Sequence, residues 1–212
     1  MDYIKTYFFE DLLKINIISE YLASKEDYII KTYPFISDFG TGLDINNVIT
    51  RSGGYNVFKL EDEPVELKEY LSFISKCYYD YIDNILPNKT FVTSEINPGI
   101  NCWLNVIREN ESIGMHKHSE DNGNFWSFVS ATSVLNATGT STNYKHNDKV
   151  FSIPNEIGSL TLFPPFYNHW TDINESKEKR VTLGMDILFN YNNCDSCGAY
   201  QSNLIPLING SN

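Results

Sequence analysis

The sequence predicts an α+β protein in which helices from the first half of the chain pack on a β-sandwich or barrel built by the second half. Three observations carry this. Apolar residues recur at helical intervals up to about residue 90. From about Phe91 the pattern turns to short β-branched and aromatic runs broken by Gly, Asn and Pro. The 212 residues, 42% apolar and 14% aromatic, furnish one sizeable core rather than two. A single domain over 1–212 is therefore expected, with 1–90 a mainly helical buttress, 91–191 the β core and 192–212 a tail.

The first helix is expected over Glu10–Leu22, where Leu13, Ile17 and Tyr21 recur beside Ile18 and Leu22 on one face. The stretch from Tyr33 to Tyr55, rich in Gly, Asp, Asn and Thr, reads as loop. Pro64 then opens a longer helix near its first turn, where proline is tolerated. Leu67, Leu71, Ile74, Tyr78, Ile82 and Ile85 form its stripe, and Pro87-Asn88 closes it. Strands are expected at Asn101–Arg108, Phe125–Leu135, Thr142–Tyr144, Leu160–Phe163 and Val181–Asn190.

A net charge of −11 opposes contact with phosphate backbones, so nucleic acid is not an expected partner. No apolar run approaches the roughly 20 residues that cross a bilayer. The first residues lack a basic segment followed by an apolar one, so a cytoplasmic location is expected, the host cytoplasm if the chain is viral. Of the four cysteines only Cys194 and Cys197 have metal or redox spacing. Without a second pair they read as free thiols in the tail. Aromatic surface on the helical half makes a homodimer a reasonable expectation.

The chemistry concentrates in the β half. The chain holds four histidines. In a strand, residues two apart share a face, so His116 and His118 both project inward, with Glu120 next if the strand continues. Later, Gly158 to Trp170 reads as a turn glycine, a buried strand and a proline-stiffened corner ending in His169, the place for a third metal ligand. Arg180 then opens a mostly apolar strand whose even positions share a face. A charged residue there needs a partner, and a small dicarboxylate meets a guanidinium through two parallel hydrogen bonds. His146, in the polar segment from Tyr144 to Asp148, reads as an ordinary surface or packing residue.

The order of these motifs over roughly Trp103 to Phe189 resembles the 2-oxoglutarate- and Fe(II)-dependent oxygenase superfamily, prolyl-hydroxylase-like branch. It is similar to oxygenases of phages and marine bacteria with a helical N-terminal half. That family joins an H-x-D/E pair, a distal histidine and a downstream basic residue. The resemblance implies a double-stranded β-helix (jelly-roll, cupin-like) core, an Fe(II) centre, 2-oxoglutarate as cosubstrate, O2 as oxidant, and hydroxylation of a prime substrate. It implies that Arg180 anchors the far carboxylate of 2-oxoglutarate, helped by Thr182, Asn105 and Tyr144.

The chain departs from the family pattern at His118, where a carboxylate is due if counting starts at His116. Two registers are open. His116, His118 and His169 make a three-histidine site, or His118, Glu120 and His169 make a two-histidine-one-carboxylate triad. Trp126, Phe128, Tyr167 and Trp170 are candidates to line a substrate mouth, although aromatic strand residues more often pack. Two other readings share the fold: a jelly-roll binding or structural protein without catalysis, and a three-histidine cupin-type dioxygenase that needs no keto acid. Arg180 argues against the last, which has no use for a carboxylate anchor.

Overall fold

A computed structural model describes residues 3–33, 55–85, 98–118, 127–189 and 204–208. Its first helix, α1 (Leu12–Ser24), is capped by the Asp11 side chain, which accepts from Lys14 N at 3.2 Å. Of the expected face Ile18 and Leu22 are buried, joined by Ile15 and Ser19, while Ile17 and Tyr21 are half-buried and Leu13 is 72% exposed. Both rows satisfy helical spacing; the one that meets the sheet wins. Lys25 ends α1 and opens α2 (Glu26–Thr32), which the sequence reading did not separate. Glu26 pairs with Arg108 and Lys179, tying α2 to the second half of the chain. The longest helix, α3 (Val65–Asn84), buries Leu67, Ile74, Tyr78 and Ile82 as expected, and widens that stripe with Tyr70, Cys77 and Tyr81. The expected loop from Tyr33 to Tyr55 lies outside the described residues apart from its two ends.

The strands are β1 (Lys5–Phe8), β2 (Pro98–Ile107), β3 (Val129–Asn136), β4 (Ser141–His146), β5 (Lys149–Pro154), β6 (Ser159–Phe163), β7 (Asn168–Thr171), β8 (Arg180–Phe189) and β9 (Ile205–Pro206). They form a large sheet in the order β1-β6-β3-β8-β2-β9 and a small one in the order β5-β4-β7. Every described pairing is antiparallel. With helices packed outside, this is an α+β fold with a double-stranded β-helix core. Four strands were not expected. β1, β7 and β9 are too short to show a period, and β5 is a largely exposed edge whose Val150 and Phe151 stand next to one another and break the alternation of a half-buried strand. β1 and β9 bring the helical half and the tail onto the large sheet.

The two faces of the large sheet differ in kind. Cys102, Leu104 and Val106 of β2, Leu183, Met185 and Ile187 of β8, and Val129, Ala131 and Leu135 of β3 join Ile15, Ile18, Tyr70 and Ile74 of the helices in one apolar core. The Tyr70 and Ser133 hydroxyls hydrogen-bond within that layer. Side chains alternate along a strand, so the residues between them face the small sheet. There the register sets Asn101 opposite Asp186, Trp103 opposite Gly184 and Asn105 opposite Thr182, with Ser130 of β3 also opposite Asp186. All ten residues of β2 are buried. A buried face this polar is costly unless its groups find partners, and it is where the histidines converge. Among the described residues no helix is long and apolar enough to cross a membrane.

Candidate metal centre

The segment leading to His118 runs beside β7. His116 and His169 exchange backbone hydrogen bonds of 3.0 and 2.8 Å, and His118 N donates to Pro165 O at 2.9 Å. Directly paired antiparallel residues turn their side chains to the same side. The rings accordingly cluster, with centroids 4.2 Å apart for His116 and His169, 5.0 Å for His118 and His169, and 5.4 Å for His116 and His118. One ring nitrogen from each lies within 4.8 Å of the others, close enough for small side-chain rotations to bring all three onto one ion at about 2.1 Å. His118 and His169 are buried and His116 is half-buried.

Hydrogen bonds settle which nitrogens are free. His116 Nδ1 lies 2.8 Å from Gly114 O, His169 Nδ1 3.2 Å from Tyr167 O, and His118 Nδ1 2.5 Å from Asp186 Oδ1. Carbonyls only accept, so Nδ1 of His116 and of His169 carries the hydrogen and their Nε2 atoms keep the lone pair, while the His118 Nδ1–H donates to the Asp186 carboxylate. Burial lowers the His116 pKa to about 4, helped by the neighbouring His118, and burial with His116 and His118 alongside holds His169 well below the ordinary range. Both rings are neutral at pH 7, the form that binds a metal.

This has a consequence for stability. Between about pH 6.5 and 4 the unfolded chain binds protons that the folded, metal-free protein refuses, so the stability from these two rings is present above the unfolded value and lost as pH falls. The Tm of metal-free protein is expected to drop by several degrees between pH 7 and 4.5. A Tm that stays level across that window would contradict the burial of neutral imidazoles.

Arg180, at the head of β8, is fully buried. Its Nη1 donates to Thr140 Oγ1 at 3.0 Å and its Nη2 to Thr171 Oγ1 at 2.8 Å, while its Nε has no partner. Among the described residues no carboxylate stands within ion-pair distance of it. Burial pushes its pKa down to about 10, opposed by the charge of Asp172, which leaves a buried cation at neutral pH. His169 and Thr171 share a face of β7, so the guanidinium reaches the residue next to His169 on that face. Thr182 follows Arg180 on the inner face and lies 3.4 Å from Asn105 Nδ2, whose own Oδ1 has no partner. Tyr144 stands opposite His169 in the small sheet, with its hydroxyl 3.1 Å from Thr132 Oγ1 across the interior.

The structure thus gathers His116, His118, His169, Arg180, Thr182, Asn105 and Tyr144 on the polar interior. Glu120, Trp126, Cys194 and Cys197 lie outside the described residues. His146 stays apart from the cluster and stacks on Tyr167 with centroids 4.5 Å apart. Phe128 packs against the helix-side core and Tyr167 is buried with Tyr144 and Phe163, so these two serve packing. Trp170 is half-buried beside Asn143.

Sequence reasoning missed Asp186, Ser130, Thr140, Thr171 and Asn101. Asp186 had a visible signal: it lies on the same even-numbered face of β8 as Arg180 and is a second charge in an apolar strand. Asn101, opposite Asp186, has no hydrogen-bond partner at either amide atom. Gly184 has a steric role, since a Cβ there would lie 2.5 Å from Trp103 Cε2. The Trp103 ring in turn packs 5.7 Å from His118. Gly184→Ala is expected to cost about 1–3 kcal/mol in denaturant unfolding by overpacking and to weaken metal binding through the displaced indole.

No protein-family model and no curated protein sequence matches the chain. Solved structures do share its fold. A Pseudomonas putida prolyl-4-hydroxylase superposes with a TM-score of 0.58 at 11% identity, over 88% of this chain and 92% of that one. The alpha-ketoglutarate-dependent carbocyclase SnoK of nogalamycin biosynthesis gives 0.60 at 11% identity, over 97% and 88%. The viral collagen prolyl hydroxylase of Paramecium bursaria Chlorella virus-1, solved with 2-oxoglutarate, gives 0.56 at 10% identity, over 88% and 96%. The chain therefore has the fold of 2-oxoglutarate- and Fe(II)-dependent oxygenases, prolyl hydroxylases among them.

Proposed function

We propose that this protein is a 2-oxoglutarate- and Fe(II)-dependent oxygenase that hydroxylates a prime substrate, with His116, His118 and His169 holding the iron and Arg180 anchoring the cosubstrate. The observation that carries the reading is the convergence of three imidazoles whose Nδ1 atoms are already engaged, beside a buried guanidinium with an unused Nε–H and, among the described residues, no carboxylate within ion-pair distance. Both features fit the implied groups. Three free Nε2 lone pairs suit a divalent ion that keeps open positions. A guanidinium with an unused Nε–H suits a carboxylate.

Iron with 2-oxoglutarate supplies oxidation of a substrate C–H bond to C–OH by O2, as the keto acid loses CO2 and becomes succinate. The chain's own residues do the positioning. The Nδ1 hydrogen bonds of the three histidines fix ring planes and tautomers. Arg180 and Thr182 hold the far carboxylate of the cosubstrate, and Asn105 offers a further polar group beside Thr182. Tyr144 and Phe163 pack against His169 and keep water from that side of the centre. No side chain beyond the ligands is assigned an acid or base role. The register through His116 is preferred to the one through Glu120, because His116 already stands in the cluster with its Nδ1 held.

The all-histidine cluster also suits a three-histidine dioxygenase that oxidises its substrate without a keto acid, and the buried charge of Arg180 weighs against that reading. The acidic chain favours neutral or cationic prime substrates over polyanions. The test is to incubate purified protein with Fe(II), 2-oxoglutarate and air and to measure succinate without any prime substrate. Slow, iron-dependent succinate formation is expected. Metal uptake without succinate would favour the keto-acid-independent reaction, and neither would leave a binding or structural jelly roll.

A further inference from the structure

We propose that Asp186 is a positioning residue of the metal centre, carrying one hydrogen bond behind His118 the negative charge that a two-histidine-one-carboxylate triad takes from a direct ligand. The inference rests on the reading of the three histidines as metal ligands and concerns what completes them.

The three Nδ1 atoms do not have equivalent partners. Those of His116 and His169 meet backbone carbonyls, which offer a dipole. That of His118 meets a carboxylate oxygen at 2.5 Å, and Ser130 Oγ donates to the same oxygen at 3.1 Å. The imidazole backed by a full charge is thus the one that stands where a carboxylate ligand is due. Charge balance points the same way. Asp186 is 3% exposed, and among the described residues no lysine or arginine lies within ion-pair distance of it. The neighbours of this buried carboxylate are the His118 ring N–H and the Ser130 hydroxyl, and among the described residues no permanent cation offsets it. A divalent ion among three neutral imidazoles is equally short of negative charge. Each supplies what the other lacks, and the His118 ring links them. A carboxylate in this position fixes the tautomer and orientation of the ring and strengthens its Nε2 as a donor.

Geometry also makes Asp186 hard to replace. β8 holds it between Ser130 on β3 and Asn101 on β2, so its carboxylate is fixed by the sheet rather than by a loop. Trp103, which Gly184 admits, covers the neighbouring side of His118.

The experiment is a Co(II) titration of metal-free protein, followed by its visible ligand-field bands and by competition for the dissociation constant. Asp186→Ala is expected to weaken binding 10- to 100-fold, the range for loss of such a partner. Asp186→Asn keeps shape and an acceptor but not the charge, and is expected to weaken binding about tenfold and to shift the cobalt bands, while the Tm of the metal-free protein holds or rises. Asp186→Asn carries the test by itself if Asp186→Ala does not fold. Wild-type affinity and unchanged bands in folded Asp186→Asn would overturn the proposal while leaving the metal site standing. Failure of the wild-type protein to bind cobalt more tightly than His169→Ala would overturn the metal reading, and this inference with it.

Discussion

Replacing His169 with alanine is expected to weaken metal binding by roughly a thousandfold and to abolish 2-oxoglutarate turnover while leaving the protein folded. The backbone N–H and C=O of His169 pair with His116, and alanine keeps both bonds. The fold therefore loses only a buried ring, a cost of about 1–3 kcal/mol. The metal loses one of three ligands. Structural zinc sites with four ligands bind with about 10–16 kcal/mol, so one ligand is worth about 4 kcal/mol, or roughly three decades in affinity. His146→Ala is the matched control, because that ring stacks on Tyr167 outside the cluster. Equal metal affinity in His169→Ala and His146→Ala, read by competition titration, would contradict the assignment.

Replacing Arg180 with methionine is expected to separate binding from stability. Arg180 is a buried cation held by threonine hydroxyls rather than by a carboxylate. Among the described residues its removal breaks no ion pair, and an apolar side chain of similar length in place of a buried charge is often neutral or stabilising. The Tm without ligands should hold or rise. Loss of a charge-assisted anchor for the far carboxylate costs about 2–5 kcal/mol, so KM for 2-oxoglutarate should rise on the order of a hundredfold or more. Metal affinity should stay near wild type, since Arg180 reaches Thr171 and not the ring cluster. An unchanged KM in Arg180→Met would remove 2-oxoglutarate from this end of the barrel and favour chemistry without a keto acid.

The parts legible in the sequence were those governed by local periodicity. The α3 stripe and the strands β2, β3, β6 and β8 show their period because they are long or fully buried. The α1 face was right at Ile18 and Leu22 and wrong at Leu13, because two apolar rows run along that helix and only tertiary packing selects the one with Ile15. β5 escaped notice because its adjacent Val150 and Phe151 break the alternation that marks a half-buried strand, and β1 and β7 are single short crossings. In the site, His116, His118, His169 and Arg180 were visible because scarce or charged residues sat in strand contexts. Their partners were not, since Asp186, Ser130, Thr140 and Thr171 meet them only through sheet register. A polar residue within an apolar strand is a signal of function only once its face is known. The strict alternation of β8 made Asp186 the one partner that could have been read in advance.

The most direct test of the three-histidine centre is a crystal structure of protein loaded with Fe(II) or Co(II), with the ion located by anomalous scattering. The account predicts one ion bonded at about 2.1 Å to Nε2 of His116, His118 and His169, with Asp186 still on His118 Nδ1. An ion bonded to His118, Glu120 and His169 with His116 excluded, or no ion among these rings, would contradict it.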